Sequence, residues 1–302
     1  MDDMLRSGAA FEEEALLHLQ WFPGHMAKTR RLIAEHLKLV DAAVELIDAR
    51  IPHSSRNPVI DELLAAKPRL ILINKSDLAD PAANRAWCEH FAAQGIPSVL
   101  LDSMTGRGYD TFKNKIRTIL RDKLSRDADK GMQKKIKLMV VGIPNVGKSS
   151  FINRLSGSRR AKVEDRPGVT RGKQWIDIKD GFQLLDTPGI LWPKFEDREV
   201  ALGLAFTGAI KDDITDVETV ASLLLLRLYE IVPELVGARY KVAYEGEGGY
   251  ELLEKVGRKR GFLISGGEVD LERTARIVLD EFRSAKIGRI SLERPEDCDD
   301  KK

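Results

Sequence analysis

Residues Val140 to Ser150 read VVGIPNVGKSS, and within them Gly142, Gly147, Lys148 and Ser149 fill the pattern GxxxxGK(S/T). This pattern demands a strand that runs into a glycine-rich turn, and a helix that starts from that turn. The flanks supply both. Ile136 to Val141 alternates too little for a half-exposed strand and is predicted to be a buried parallel one, while Phe151, Ile152 and Leu155 give the next segment an apolar helical face. In such a loop the glycines let backbone N–H groups turn inward around phosphate oxygens at a helix N-terminus. Asn145, Val146, Gly147, Lys148, Ser149 and Ser150 then become candidate phosphate contacts, with Lys148 reaching the outer phosphates and Ser149 holding magnesium.

The 302 residues suffice for one large domain or two ordinary ones. Lys and Arg number 49 against 47 Asp and Glu, so no global field draws nucleic acid or membrane, and any basic surface must be local. Cys88 and Cys298 lie far apart without metal-ligand spacing, which suits a reducing cytosol. The start, MDDMLRSG, lacks the apolar core of a secretory signal. No stretch reaches the roughly 18 apolar residues of a membrane span; the longest candidate, SLLLLRLYEIV, is interrupted by Arg227 and Glu230. A cytoplasmic protein without a membrane span is the expectation.

Along the chain, residues 1–19 read as a polar lead. From about His25 an amphipathic helix is predicted, with Met26, Ile33, Leu37 and Val40 recurring at helical spacing and Lys28, Arg30 and Arg31 on its polar side. AAVELIDAR, RLILINKSD and IPSVLLDS read as strands that deliver polar residues at their C-terminal ends, where parallel sheets bind ligands. A helix from Tyr109 to about Leu124 and a charged link of about ten residues lead into the phosphate loop. KVEDRPGVTRGK reads as flexible, KQWIDI and FQLLDTPG as strands, and everything after Val200 as helical. The fold class is therefore α/β, followed by an α-helical domain, with the boundary between Leu191 and Asp213. In DLERTARIVLDEFRSA, Leu271, Ala275, Val278 and Phe282 form one face, opposite Arg273, Arg276, Asp280 and Arg283. With Lys255, Arg258, Lys259, Arg260, Lys286 and Arg289 nearby, that second face fits either plain solvation or a nucleic-acid contact.

Four short motifs at strand ends carry the chemistry. In NKSD, Asp77 can accept from the guanine N1–H and exocyclic amine, Asn74 can meet N7, and the Lys75 stem can cover the base. Adenine would set its N1 acceptor against the carboxylate, so discrimination would be large. Taken alone the same four residues also suit a strand-end turn. DTPG fits the magnesium and γ-phosphate position, with Asp186 reaching the metal through water and the Gly189 N–H facing the γ-phosphate. Thr170, in RPGVT, would complete the magnesium shell, and Ser103 and Met104, in DSMTGRG, would support the guanine carbonyl by backbone N–H. A conventional GTPase runs phosphate loop, switch threonine, DxxG, NKxD, then serine loop. Here NKSD and DSMTGRG come first, which is the order of a circularly permuted P-loop GTPase domain whose usual ends are joined.

QWFPGHMAK, DARIPxSSRNP, NKSD, GIPNVGKSS, RPGVT, DTPGI, LAFTGAIKD and the terminal SGGEVD…DEFRSAKIGRISLE together resemble the circularly permuted GTPases of ribosome biogenesis, most closely the ribosome biogenesis GTPase A type. Met104 stands where a smaller residue is usual, and His53 falls at the variable position of its motif. The resemblance implies GTP hydrolysis to GDP with Mg2+, a cytoplasmic or organellar site of action, and docking on a precursor of the large ribosomal subunit through rRNA and ribosomal proteins, by a chain monomeric off the ribosome. It divides the chain into a lead (1–19), the GTPase domain (20–205), a helical ribosome-contacting domain (206–295) and a charged tail (296–302). Many GTPases place a water-orienting glutamine after DxxG, where Ile190 stands here and cannot hydrogen-bond. The resemblance points to His25 as its catalytic replacement, and to Asn145 as a holder of potassium. Two competing classes are an RNA-binding assembly factor with a structural nucleotide, and a signalling or membrane-linked GTPase. The full magnesium and γ-phosphate set argues against the first, and the lack of a lipidation motif against the second.

Overall fold

The structure, a computed structural model, describes residues 23–64, 67–132, 134–157, 175–186 and 197–299. Among them two compact units form, one from residues 23–186 and 293–299 and the other from 197–292.

The first unit is built on six strands: β1 (Ala42–Asp48), β2 (Arg69–Asn74), β3 (Ser98–Leu100), β4 (Ile136–Val141), β5 (Trp175–Ile178) and β6 (Phe182–Asp186). Their order across the sheet is β3-β2-β1-β4-β6-β5, all parallel except β5, which runs antiparallel to β6. β1 is buried at every position and β2 at all but its first, which explains why both are mainly apolar, with Glu45 the one charge inside β1: helices cover the two faces. Register brings Asp48 opposite Asn74 and Val140 opposite Asp186. Strand ends separated by up to 138 residues therefore share one C-terminal edge, the edge at which open α/β sheets bind ligands.

The helices of this unit are α1 (Pro23–Leu37), α2 (Pro58–Leu64), α3 (Pro81–Ala93), α4 (Tyr109–Ile119), α5 (Arg121–Asp129) and α6 (Lys148–Ser156). α1 buries Ile33 and Leu37 in a cluster with Ala43, Ile60, Leu64, Met139, Val141 and Leu185. Val40 joins that cluster from beyond the end of the helix. The helix expected over Tyr109 to Leu124 is two. α4 buries Tyr109, Phe112 and Ile116, whereas α5 buries nothing, and the chain breaks direction at Leu120. No glycine or proline marks the break; core packing of one segment and solvation of the next produce it. α5 also occupies most of the expected link, through Asp129.

In the second unit, α7 (Arg198–Phe206), α8 (Val217–Ile231), α9 (Pro233–Tyr240), α10 (Gly249–Arg260) and α11 (Leu271–Arg283) pack around α8, whose buried face includes Val220, Leu224, Leu225 and Leu228. Asp197, Asp216 and Asp270 each cap a helix by accepting a first-turn N–H. Among the described residues the helical unit begins at residue 197, so that α7 belongs with the helices. Arg283 of α11 donates to the carbonyls of Ala205 and Phe206, both at 2.9 Å, and to both carboxylate oxygens of Asp212. Arg283 thus leaves the solvated face on which its helical position placed it. At the other end, the expected charged tail is in part a short helix, α12 (Pro295–Asp299), inside the first unit. No helix among the described residues is long and apolar enough to cross a membrane.

The basic residues of this unit are largely paired. Lys255 meets Glu247, Arg258 meets Glu254, Arg260 meets Glu281 and Arg276 meets Glu272, while Arg273 lies 4.8 Å over the Phe262 ring. These contacts lower the local positive field that a nucleic-acid face would need.

Candidate functional site

The phosphate loop follows from backbone geometry. Gly142, at the end of β4, has φ 153°, and a Cβ there would lie 2.5 Å from the Leu46 carbonyl oxygen. Gly147 has φ 97°, and its Cβ would meet the Asn74 amide nitrogen at 2.3 Å. Both positions need glycine, on conformation and on space. Between them Asn145 is exposed in the left-handed region at φ 58°, and Val146 is buried. Lys148, Ser149 and Ser150 open α6, so their N–H groups lie in its first turn. The Lys148 ammonium is buried and donates to the carbonyls of Gly142, at 3.0 Å, and Ile143, at 2.7 Å. A lysine ammonium held beside the N-terminus of a helix that follows a glycine turn suits a polyphosphate.

Asn74 ties this loop to the motifs expected to read the base. Its amide donates to the Val146 carbonyl at 2.7 Å, and its Oδ1 accepts from the Ser103 N–H at 3.1 Å and the Ser103 hydroxyl at 2.8 Å. It is 1% exposed. One side chain therefore joins the phosphate loop, the end of β2 and the loop after β3. Asp77, three residues on, is half-buried, and its carboxylate makes no hydrogen bond to another described residue. Its two oxygens can take the paired N–H donors of a guanine edge. Lys75 has φ 59°, and its ammonium lies 2.9 Å from Asp48.

Asp48 is buried, and Arg50 binds it with Nε at 2.9 Å and Nη2 at 2.7 Å. Burial opposes its ionisation, but Arg50 and Lys75 outweigh that and hold the Asp48 carboxyl well below the usual carboxylate range. In the loop after β3, Asp102 accepts from the N–H groups of Met104, at 2.9 Å, and Thr105, at 3.1 Å, and from the Thr105 hydroxyl. Burial works against that charge too, and the Thr105 and Met104 donors keep the carboxyl below its ordinary value. The expected donors to a guanine carbonyl, the N–H groups of Ser103 and Met104, thus already have partners in Asn74 and Asp102. The Met104 side chain is 75% exposed. Arg154 of α6 grips this loop from outside, donating to the Met104 carbonyl at 2.6 Å and to that of Thr105.

Asn74, Lys75, Asp77, Ser103, Met104 and the phosphate-loop residues accordingly belong to one unit and one edge of the sheet. Asp186 ends β6 opposite Val140, which brings its backbone beside the phosphate-loop strand. His25 lies in the first turn of α1. The side chains of His25 and Asp186, and all of Thr170, Gly189 and Ile190, lie outside the described residues. Sequence reasoning missed Asp102 and Arg154 and assigned no task to Asp48. The signal for Asp48 was present, since it ends a wholly buried strand beside Asn74. Arg154 carries no such signal, because its partners lie about fifty residues away.

A family model described as a 50S ribosome-binding GTPase matches residues 137–227. A protein named ribosome biogenesis GTPase A from Priestia megaterium is 47% identical over 283 residues, which is 93% of this chain and 98% of that one. The protein of that name from Thermotoga maritima is 34% identical over 92% of this chain and 95% of its own length. Among solved structures, a GNP-bound YlqF from T. maritima superposes with a TM-score of 0.61 at 30% identity, covering 89% of this chain and 99% of that one.

Proposed function

Because the chain belongs to the ribosome biogenesis GTPase A family, we propose that it acts late in assembly of the large ribosomal subunit, hydrolysing GTP when docked on the precursor particle and leaving afterwards. It is a GTP-hydrolysing enzyme of ribosome biogenesis. The observation that carries the base assignment is the junction at Asn74, which holds the phosphate loop and the serine loop in one frame while the Asp77 carboxylate makes no hydrogen bond to another described residue.

GTPases of this kind use Mg2+ with GTP. Ser149, part-exposed in the first turn of α6, suits that ion, and the backbone of Asp186 stands beside the same strand. Those two, with Thr170 and Gly189, would hold the ion and the γ-phosphate; the ion neutralises charge developing on the transferred phosphate. Asn145, exposed and left-handed within the loop, would offer its side-chain oxygen to a potassium ion near the α/β-phosphates. Hydrolysis faster in potassium than in sodium is the expected result; equal rates with and without subunits would remove this role.

Ile190, directly after DTPG, cannot hydrogen-bond to water, and on the strength of the family resemblance His25 takes that role once the particle arranges the site. The segment after DTPG leads directly into the helical unit, so that ordering by γ-phosphate would favour docking and hydrolysis would release the particle. The site of action is then cytoplasmic, and the protein is a monomer off the ribosome. GTP turnover measured with and without purified large subunits tests the whole scheme: several-fold stimulation is expected, and none would refute it. In the same assay His25→Ala should retain GTP binding and lose about 100-fold or more of the stimulated rate. Unchanged turnover would leave His25 without a catalytic part.

A further inference from the structure

The chain changes units between adjacent residues. Leu292 is buried in the helical unit, and Arg227 donates to its carbonyl at 3.4 Å. Glu293, the next residue, is already anchored in the α/β unit. Its carboxylate accepts from the His53 N–H at 2.7 Å, from the Ser54 N–H at 3.2 Å to either oxygen, and from the Ser54 hydroxyl. Its carbonyl accepts from the Trp87 indole at 3.2 Å. Arg294 then pairs with Asp80, the N-cap of α3, at 2.9 Å, and Pro295 is buried. Cys298 of α12 packs on the cluster containing Trp87 and Phe91.

His53 and Ser54 belong to the turn that follows β1, and that turn closes on Asp48. Ser55 Oγ accepts the Asp48 N–H at 3.0 Å, and the Asp48 carboxylate holds the Lys75 ammonium at 2.9 Å. A carboxylate taken out of water is costly unless donors converge on it, and those of His53 and Ser54 do. Burial still pushes the Glu293 carboxyl up to about 7 against those hydrogen bonds, with Asp48 adding to the rise. Those donors are backbone and hydroxyl groups of the turn, which is also braced by the Arg56 N–H on the His53 carbonyl, at 3.1 Å, and the Ser55 N–H on the Ile51 carbonyl, at 2.9 Å.

We propose that Glu293 is a positioning residue for guanine nucleotide binding. By fixing the His53–Ser54 backbone it holds the turn that presents Asp48 to Lys75, and so keeps the Lys75 stem over the base. The inference rests on the assignment of that site to guanine nucleotides.

The full-length chain carrying Glu293→Ala is compared with wild type for GDP binding by titration and for subunit-stimulated GTP hydrolysis. The GDP dissociation constant and the KM for GTP should rise about 5- to 10-fold, while kcat at saturating GTP stays within about twofold. Glu293→Gln, which keeps one carbonyl acceptor, should recover part of the loss. Arg294→Ala removes the neighbouring ionic anchor without touching the His53–Ser54 turn and should bind GDP as wild type does. Wild-type GDP affinity in Glu293→Ala, or an equal loss in Arg294→Ala, would overturn the proposal. A wild-type protein that failed to bind GDP would strike the guanine assignment itself, which separates the two failures.

Discussion

Asp77→Asn is expected to turn a guanine site into a xanthine site. The guanine edge presents two donors, N1–H and the exocyclic amine, and Asp77 offers two acceptor oxygens that no described residue uses. Asparagine keeps one acceptor and replaces the other with an N–H2 group, which faces the exocyclic amine donor to donor. Losing a charge-assisted pair and stranding its partners should cost about 3 kcal/mol or more, roughly a 100-fold loss in GDP affinity. Xanthine carries a carbonyl where guanine carries that amine, so the asparagine amide meets an acceptor and XDP affinity should rise. Parallel titrations with GDP, XDP and ADP check this. If the variant kept wild-type preference for GDP over XDP, Asp77 would not read the base.

Much of that site is visible in the chain because its parts are local. The phosphate loop needs only a buried run, two glycines and a helix start within about fifteen residues, and NKSD is contiguous. The sheet is equally local in its signals, since β1, β2 and β4 are buried at nearly every position and read as mainly apolar runs interrupted only by Glu45 in β1 and Lys137 in β4. What was hidden depends on distance or on context. Asn74 looks like a base contact in sequence, and its tie to Val146 spans 72 residues. Glu293 looks like an ordinary charge near the C-terminus, and its partners lie 239 and 240 residues earlier. Leu120 has no breaker beside it, yet a change from buried to solvated packing divides the helix there. Arg283 shares a helical face with solvated residues and is drawn instead onto the carbonyl end of α7. Periodicity predicts which face a residue occupies, but not whether a distant acceptor waits on it.

The junction at Asn74 makes a sharper claim than any of its members alone. Gly147→Ala should cost at least about 100-fold in GDP affinity, because its new Cβ would lie 2.3 Å from the Asn74 amide nitrogen in a backbone of φ 97° that alanine avoids. Asn74→Ala should also weaken binding strongly, since it leaves the Val146 carbonyl and the Ser103 donors unpaired, at about 1 to 3 kcal/mol for each group that stays buried. Combined, the two changes should not add. Once the asparagine is gone, the Gly147→Ala methyl has lost the atom it strikes, and only the backbone strain of roughly 1 to 3 kcal/mol remains from that change. A double-mutant cycle on GDP binding therefore should return a coupling of about 1 kcal/mol or more between residues 73 positions apart. Full additivity would mean that the phosphate loop and NKSD act on the nucleotide separately. Coupling would mean that the chain holds phosphate and base through one buried amide, so that a disturbance reaching either loop is felt at both ends of the nucleotide.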